Sequence, residues 1–142
     1  MKKTNNKGFS LVELIVVIAI MAVLVGVLAP QFLKYVERGR KSTDVQNVQA
    51  LISACDAYAA DPMVADGDKL VTVDISLSTT PVSVGTTTPF EKALTAAGIK
   101  TYGLKSANWG TPLLEITVTD GVPSYAVTGC SSGNDLLKGT YK

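Results

Sequence analysis

Hydrophobic and polar positions divide the chain into zones of different period. Residues 1–8 are polar and basic. Residues 9–29 hold a single charge, Glu13, and from 14 to 29 every residue is apolar or glycine. A stretch with no polar face reads as a helix that is apolar all round, and its 21 residues would span about 30 Å, the thickness of a bilayer's hydrocarbon core. Beyond Pro30 the pattern changes. Leu33 and Val36, then Val45, Val48, Ile52, Cys55 and Ala59, recur at spacings of three and four, with Lys34, Glu37, Arg38, Lys41, Asp44 and Gln49 between them. That is the signature of an amphipathic helix. It is expected to end near Ala60, because Asp61-Pro62 disfavours further helix. Residues 9–60 thus predict one helix of ~78 Å, if continuous.

Shorter signals follow. Asp66-Gly67-Asp68 marks a turn, residues 70–77 alternate like a strand, and residues 76–89 are rich in Ser and Thr with two prolines, as in a surface loop. Residues 90–97 suit a short helix stopped by Gly98. Two clearer strands come next, 113–119 and 122–128, joined by the hairpin signal Asp120-Gly121. Residues 131–142 are turn-rich, suited to an edge strand or a surface loop. The predicted class is α+β: a long N-terminal α-helix, membrane-spanning in its first half and amphipathic in its second, packed on a small antiparallel β-sheet. The expected divisions are a leader at 1–8, a membrane segment at 9–30 and a globular domain at 31–142.

Composition narrows the function. The chain has 142 residues, 46% of them hydrophobic, which fits one small domain plus the apolar segment. Formal charge is +1, but Lys2, Lys3 and Lys7 sit in the leader, so without it the remainder carries about −2. Outside the leader, only Arg38, Arg40 and Lys41 cluster, suiting a solvated helix face or lipid headgroups and giving nucleic-acid binding little support. With no His and only two Cys, the commonest general base and the usual zinc frameworks are missing. No catalytic constellation, metal site or cofactor is expected. Asp61, Asp66 and Asp68 do not have the spacing of a calcium loop. Cys55 and Cys130 allow one disulfide, closing a loop of about 75 residues worth ~4 kcal/mol, or remain two separate buried thiols.

A cleaved secretory signal and a plain signal anchor also fit an apolar N-terminal segment. Residues 27–29, Val-Leu-Ala, offer a cleavage site, but Pro30 follows it. Neither reading accounts for Glu13, since a carboxylate costs up to ~3 kcal/mol at the centre of an inserting helix and somewhat less near its end. Such a residue calls for a partner.

The run Lys7-Gly8-Phe9-Ser10-Leu11-Val12-Glu13-Leu14 resembles the processing site of type IV prepilins and their pseudopilin relatives. The match covers residues 7–29 and Pro30; the globular part is similar only in architecture. The resemblance implies that Gly8 is the last leader residue, cut by a membrane-embedded prepilin peptidase, and that Phe9 becomes an N-methylated terminus. It implies that Glu13 meets the N-terminal ammonium of a neighbouring subunit, where a wrong axial offset would leave both charges uncompensated. Pro30 removes the hydrogen bond to the carbonyl of Gly26, itself a poor helix former, making a local weak point; the family commonly has a proline at Pro30. Ala22 stands where many relatives have glycine, and a Cys55–Cys130 bond would be atypical for pilins.

What the resemblance implies overall is a structural subunit, the major pilin of a type IV pilus. Its partners would be further copies in a helical filament, the prepilin peptidase, an assembly ATPase with its membrane platform, and the bilayer before assembly. It would start as a single-pass precursor in the inner (cytoplasmic) membrane and end in a surface filament. The alternatives are a pseudopilin of a type II secretion or DNA-uptake machine, and a minor pilin acting as an adhesin.

Overall fold

The computed structural model describes residues 8–131 and 139–141. Its first element, α1, is a single helix over Leu11–Ala59 with Pro30 inside it, within two residues of the predicted span at each end. The chain forms two compact units, Met1–Arg38 and Gly39–Lys142, so the division falls about eight residues beyond the predicted boundary at Pro30. In the first unit the described part is helix from Leu11 onward, and α1 is long and apolar enough to cross a membrane.

The second unit is built from the amphipathic part of α1 and a sheet. The described strands are β1 (Val73–Ser76), β2 (Val82–Ser83), β3 (Thr101–Tyr102), β4 (Gly110–Thr119), β5 (Val122–Cys130) and β6 (Gly139–Tyr141); the second helix, α2, is Pro89–Ala96. Four strands make an antiparallel sheet in the order β1-β4-β5-β6, and β2 pairs with β3 apart from it. Alternation along β4 buries Pro112, Leu114 and Ile116. Register places Leu114 opposite Val127 and Ile116 opposite Tyr125, so the four share one face, which is the inner one. Val48, Leu51, Ile52, Ala54 and Cys55 of α1, with Phe90, Ala93 and Leu94 of α2, complete one core around them. This is the expected α+β arrangement: a long helix on a small antiparallel sheet.

Local chemistry explains the element ends. Asp120 and Gly121 have φ of 53° and 79°, the doubly left-handed turn that matches strand twist in a two-residue hairpin. α2 opens on a reciprocal capping box: Thr88 accepts from the Glu91 N–H, and Glu91 accepts from the Thr88 N–H. Gly98 at φ 76° ends that helix, and the Ile99 N–H returns to the Leu94 carbonyl at 2.9 Å. The β2–β3 pair escaped the sequence reading because two-residue strands carry no period. β6 takes the edge-strand option in the turn-rich tail, of which residues 132–138 and 142 lie outside the described residues.

Candidate assembly segment

The apolar run fixes the first property of the segment. Its large hydrophobic side chains are all exposed, from Phe9 at 91% down to Val17 at 47%. No side chain among residues 8–35 is sheltered by the chain itself. A helix with every face apolar and every face open must be covered by lipid or by other proteins.

At its start, Gly8 is exposed and lies just outside the helix, with nothing within 4 Å of where a side chain would begin. An unobstructed backbone at that point suits a protease. The Leu14 N–H donates to the Ser10 carbonyl at 3.2 Å, closing the first turn. The Glu13 carboxylate reaches back and accepts from the Ser10 N–H at 2.9 Å. Glu13 thereby occupies the third helical position and satisfies one of the amide donors that a helix start leaves open, where the helix dipole favours a negative charge. This local bond gives Glu13 a partner within its own chain, the role of an acid at a helix N-terminus. Its signal in the sequence is the spacing Ser10-x-x-Glu13, a capping-box pattern. Gly8 and Phe9 thus lie just before α1, and Glu13 lies in its first turn. Gly26 and Pro30 lie deep in α1, where the helix continues through both; a Cβ at Gly26 would touch nothing, so close packing within this chain is not what requires glycine there.

Residues 3–29 match the family model described as the prokaryotic N-terminal methylation motif. The chain is 34% identical over 57 residues to the type IV major pilin protein PilA of Myxococcus xanthus, covering 40% of this chain and 26% of that one. It is 30% identical over 80 residues to the type IV wide pilus major component PilA4 of Thermus thermophilus, covering 56% and 61%. It is 33% identical over 61 residues to the type II secretion system core protein G of Klebsiella michiganensis, covering 43% of each. The chain thus carries the N-terminal methylation motif and is similar to type IV pilins and to a type II secretion pseudopilin. It spans less than two thirds of the length of each of these relatives. No solved structure matches it significantly.

The pilin family is structural rather than enzymatic, and its members assemble into pilus or pseudopilus filaments. The motif and the apolar helix suit a membrane-anchored precursor. In the second unit a loop is fastened to α1 by a residue the sequence reading placed among the polar positions. Asp44 is fully buried. Its Oδ1 accepts from the Lys105 N–H at 2.5 Å, and its Oδ2 accepts from the Ser106 N–H at 2.9 Å and from the Trp109 indole N–H at 2.8 Å. Three donors compensate a carboxylate that would otherwise be costly to bury. The periodicity carried the clue, since Asp44 falls four, eight and eleven residues before Val48, Ile52 and Cys55, on the same stripe.

A second fastening lies further along α1, where Asp56 accepts from the Tyr125 hydroxyl at 2.8 Å. Between them these two fastenings explain the cysteines. Cys130 pairs in register with Gly110, next to Trp109 and hence near Asp44. Cys55 precedes Asp56, and Tyr125 lies five residues from Cys130 along β5. The two cysteines are therefore separated by about 16 Å along the strand, against a Cα limit of ~7 Å for a disulfide. The Cys55–Cys130 bond allowed by the sequence is not made, and both are thiols. Burial, with the neighbouring Asp56 charge adding to it, pushes the Cys55 thiol up to about 12.

The three carboxylates weighed for calcium each have a different partner. The Asp61 carboxylate accepts from the Met63 N–H at 2.8 Å, Asp66 pairs with Lys69 at 2.6 Å, and Asp68 pairs with Lys92 at 2.5 Å. Among the described residues no group of side chains is arranged to hold a metal ion.

Proposed function

We propose that this chain is the major subunit of a type IV pilus. The observation that carries the reading is the exposed, all-round apolar helix beginning at a motif with a single acid, Glu13. Such a segment is stable in a bilayer and equally stable in a bundle of identical helices, so one element serves both precursor and polymer. Prepilin peptidase cuts between Gly8 and Phe9, and Phe9 becomes the N-methylated terminus. Release of that ammonium gives Glu13 a charged partner on a neighbouring copy in place of the Ser10 amide. Gly26 and Pro30 form the point where α1 loses helical hydrogen bonds and lengthens as copies pack and the fibre is loaded. An ATP-driven machine with a membrane platform draws each copy from the inner (cytoplasmic) membrane into the surface filament.

Similarity to the type II secretion core protein favours a second reading, a pseudopilin that builds a short piston by the same mechanism. Abundance separates the two. Mass spectrometry of sheared surface fibres should find this chain as the dominant species, beginning at a methylated Phe9. Normal fibres in a strain lacking the gene would rule out the major-subunit role, and a chain confined to the secretion apparatus would establish the pseudopilin one.

A further inference from the structure

Two groups of charges in the second unit lie near opposite ends of its stretch of α1. At the Gly39 end lie Arg40, Lys41 and Lys105. Lys41 Nζ stands 5.1 Å from the centre of the Trp109 ring, and Lys105 is held at this end because its N–H is bonded to Asp44. The Asp44 carboxylate itself is buried and engaged by three N–H groups. At the Ala59 end, Tyr58, Asp61, Val64, Lys69, Val118 and Gly121 line a cleft of about 200 Å³. Asp61, Asp66, Asp68 and Asp120 gather there against Lys69 and Lys92, leaving the end acidic. Beside the cleft, Met63 is 91% and Val122 67% exposed, so the head makes little use of either. The ends are about 30 Å apart along the helix, more than three Debye lengths at physiological salt.

This polarity has a consequence if copies assemble as the major-subunit reading requires, on which the inference rests. Helices drawn from one membrane all point the same way. Axial contacts between heads are then heterologous, joining unlike ends. We infer that the Ala59 end of one copy docks on the Gly39 end of another copy, with Asp61, Asp66 and Asp120 facing Arg40, Lys41 and Lys105, and Met63 and Val122 covered at the contact. The occupant is a second copy of this chain because both complementary surfaces belong to the same molecule at opposite ends. The apolar helices supply cohesion with little preference for axial offset, and the charged ends select the offset.

A charge-exchange experiment in the full-length chain, as the sole copy in its host, tests the contact. The variants are Asp61→Lys with Asp66→Lys, Arg40→Glu with Lys105→Glu, and all four together. Either pair alone should lower the yield of sheared fibres by ~10-fold or more, and the fourfold variant should recover to within ~3-fold of wild type, as expected of a close, complementary charge contact. Wild-type yield in both double variants, or a fourfold variant no better than the worse double, would overturn the docking. Absence of fibres from the wild type would instead overturn the filament reading itself. Should a variant fail to fold, wild-type fibres answer the same question: raising salt from about 0.05 M to about 1 M should speed subunit release several-fold. No salt response would sink the inference.

Discussion

Asp44 shows how one side chain joins helix to loop within the second unit. Its carboxylate holds the Lys105 and Ser106 amides and the Trp109 indole, so Asp44→Asn would turn an amide donor toward groups that can only donate. A loss of about 3 kcal/mol is expected, measured by urea unfolding of residues 39–142 with the single tryptophan as reporter. A loss under ~1 kcal/mol would show that the carboxylate is not the fastening. Cys55 bears on pH. Burial pushes its thiol from an ordinary value of 9.0 up to about 12, so at high pH the unfolded chain binds fewer protons than the native one. The native advantage is complete below pH 9 and is lost as pH rises from about 9 to about 12. Tyr125, raised by burial and then by its bond to Asp56, steepens the fall from the same side. Denaturant midpoints across that window should drop, and drop less steeply in Cys55→Ala.

Among the elements, the β4–β5 hairpin carries a contrast between two glycines of similar backbone geometry. Gly121 has φ 79° with open space around it, whereas Gly129 has φ 71° and a Cβ there would lie 2.4 Å from the Thr111 carbonyl oxygen. Both substitutions to alanine incur the left-handed penalty of about 1–2 kcal/mol. Only Gly129→Ala must also displace the β4 backbone at the irregular register between Gly110 and Leu113. We expect Gly121→Ala to cost about 1 kcal/mol and Gly129→Ala about 3 or more, read from thermal unfolding; equal costs would refute the close approach. Neither requirement was visible along the chain, although the turn itself was, because Asp-Gly between alternating runs has its own local chemistry. α1, both main strands and α2 were legible for the same reason: each rests on a periodicity or a stop signal within its own residues.

At the scale of the molecule, the first unit is an exposed apolar helix, to which the proposed function gives assembly, and the second is a folded head. Glu13 bears on the first. Its bond to the Ser10 amide satisfies a helix start that any copy must have, so Glu13→Ala should leave processing at Gly8 intact. Without the carboxylate the charge contact at the start of the apolar helices is lost, whatever the heads contribute to the offset. Processed protein should therefore accumulate in the membrane with at least ~10-fold fewer fibres. Immunoblots of membrane and sheared fractions would check both halves, and normal fibre yield would remove Glu13 from assembly.

The sequence by itself determined the segment that needs covering, the motif at its start and the class of the head, because hydrophobic period, local caps and turn chemistry act between near neighbours. Tertiary structure decided what depends on distance across the fold. It buried Asp44 by bringing a loop about 60 residues away onto α1. It separated Cys55 from Cys130 through the alignment of β5 along that helix. It also gathered Asp61, Asp66 and Asp68 with Lys69 and Lys92 at one end of the head. A residue's spacing fixes which face it occupies, but only packing fixes what that face meets.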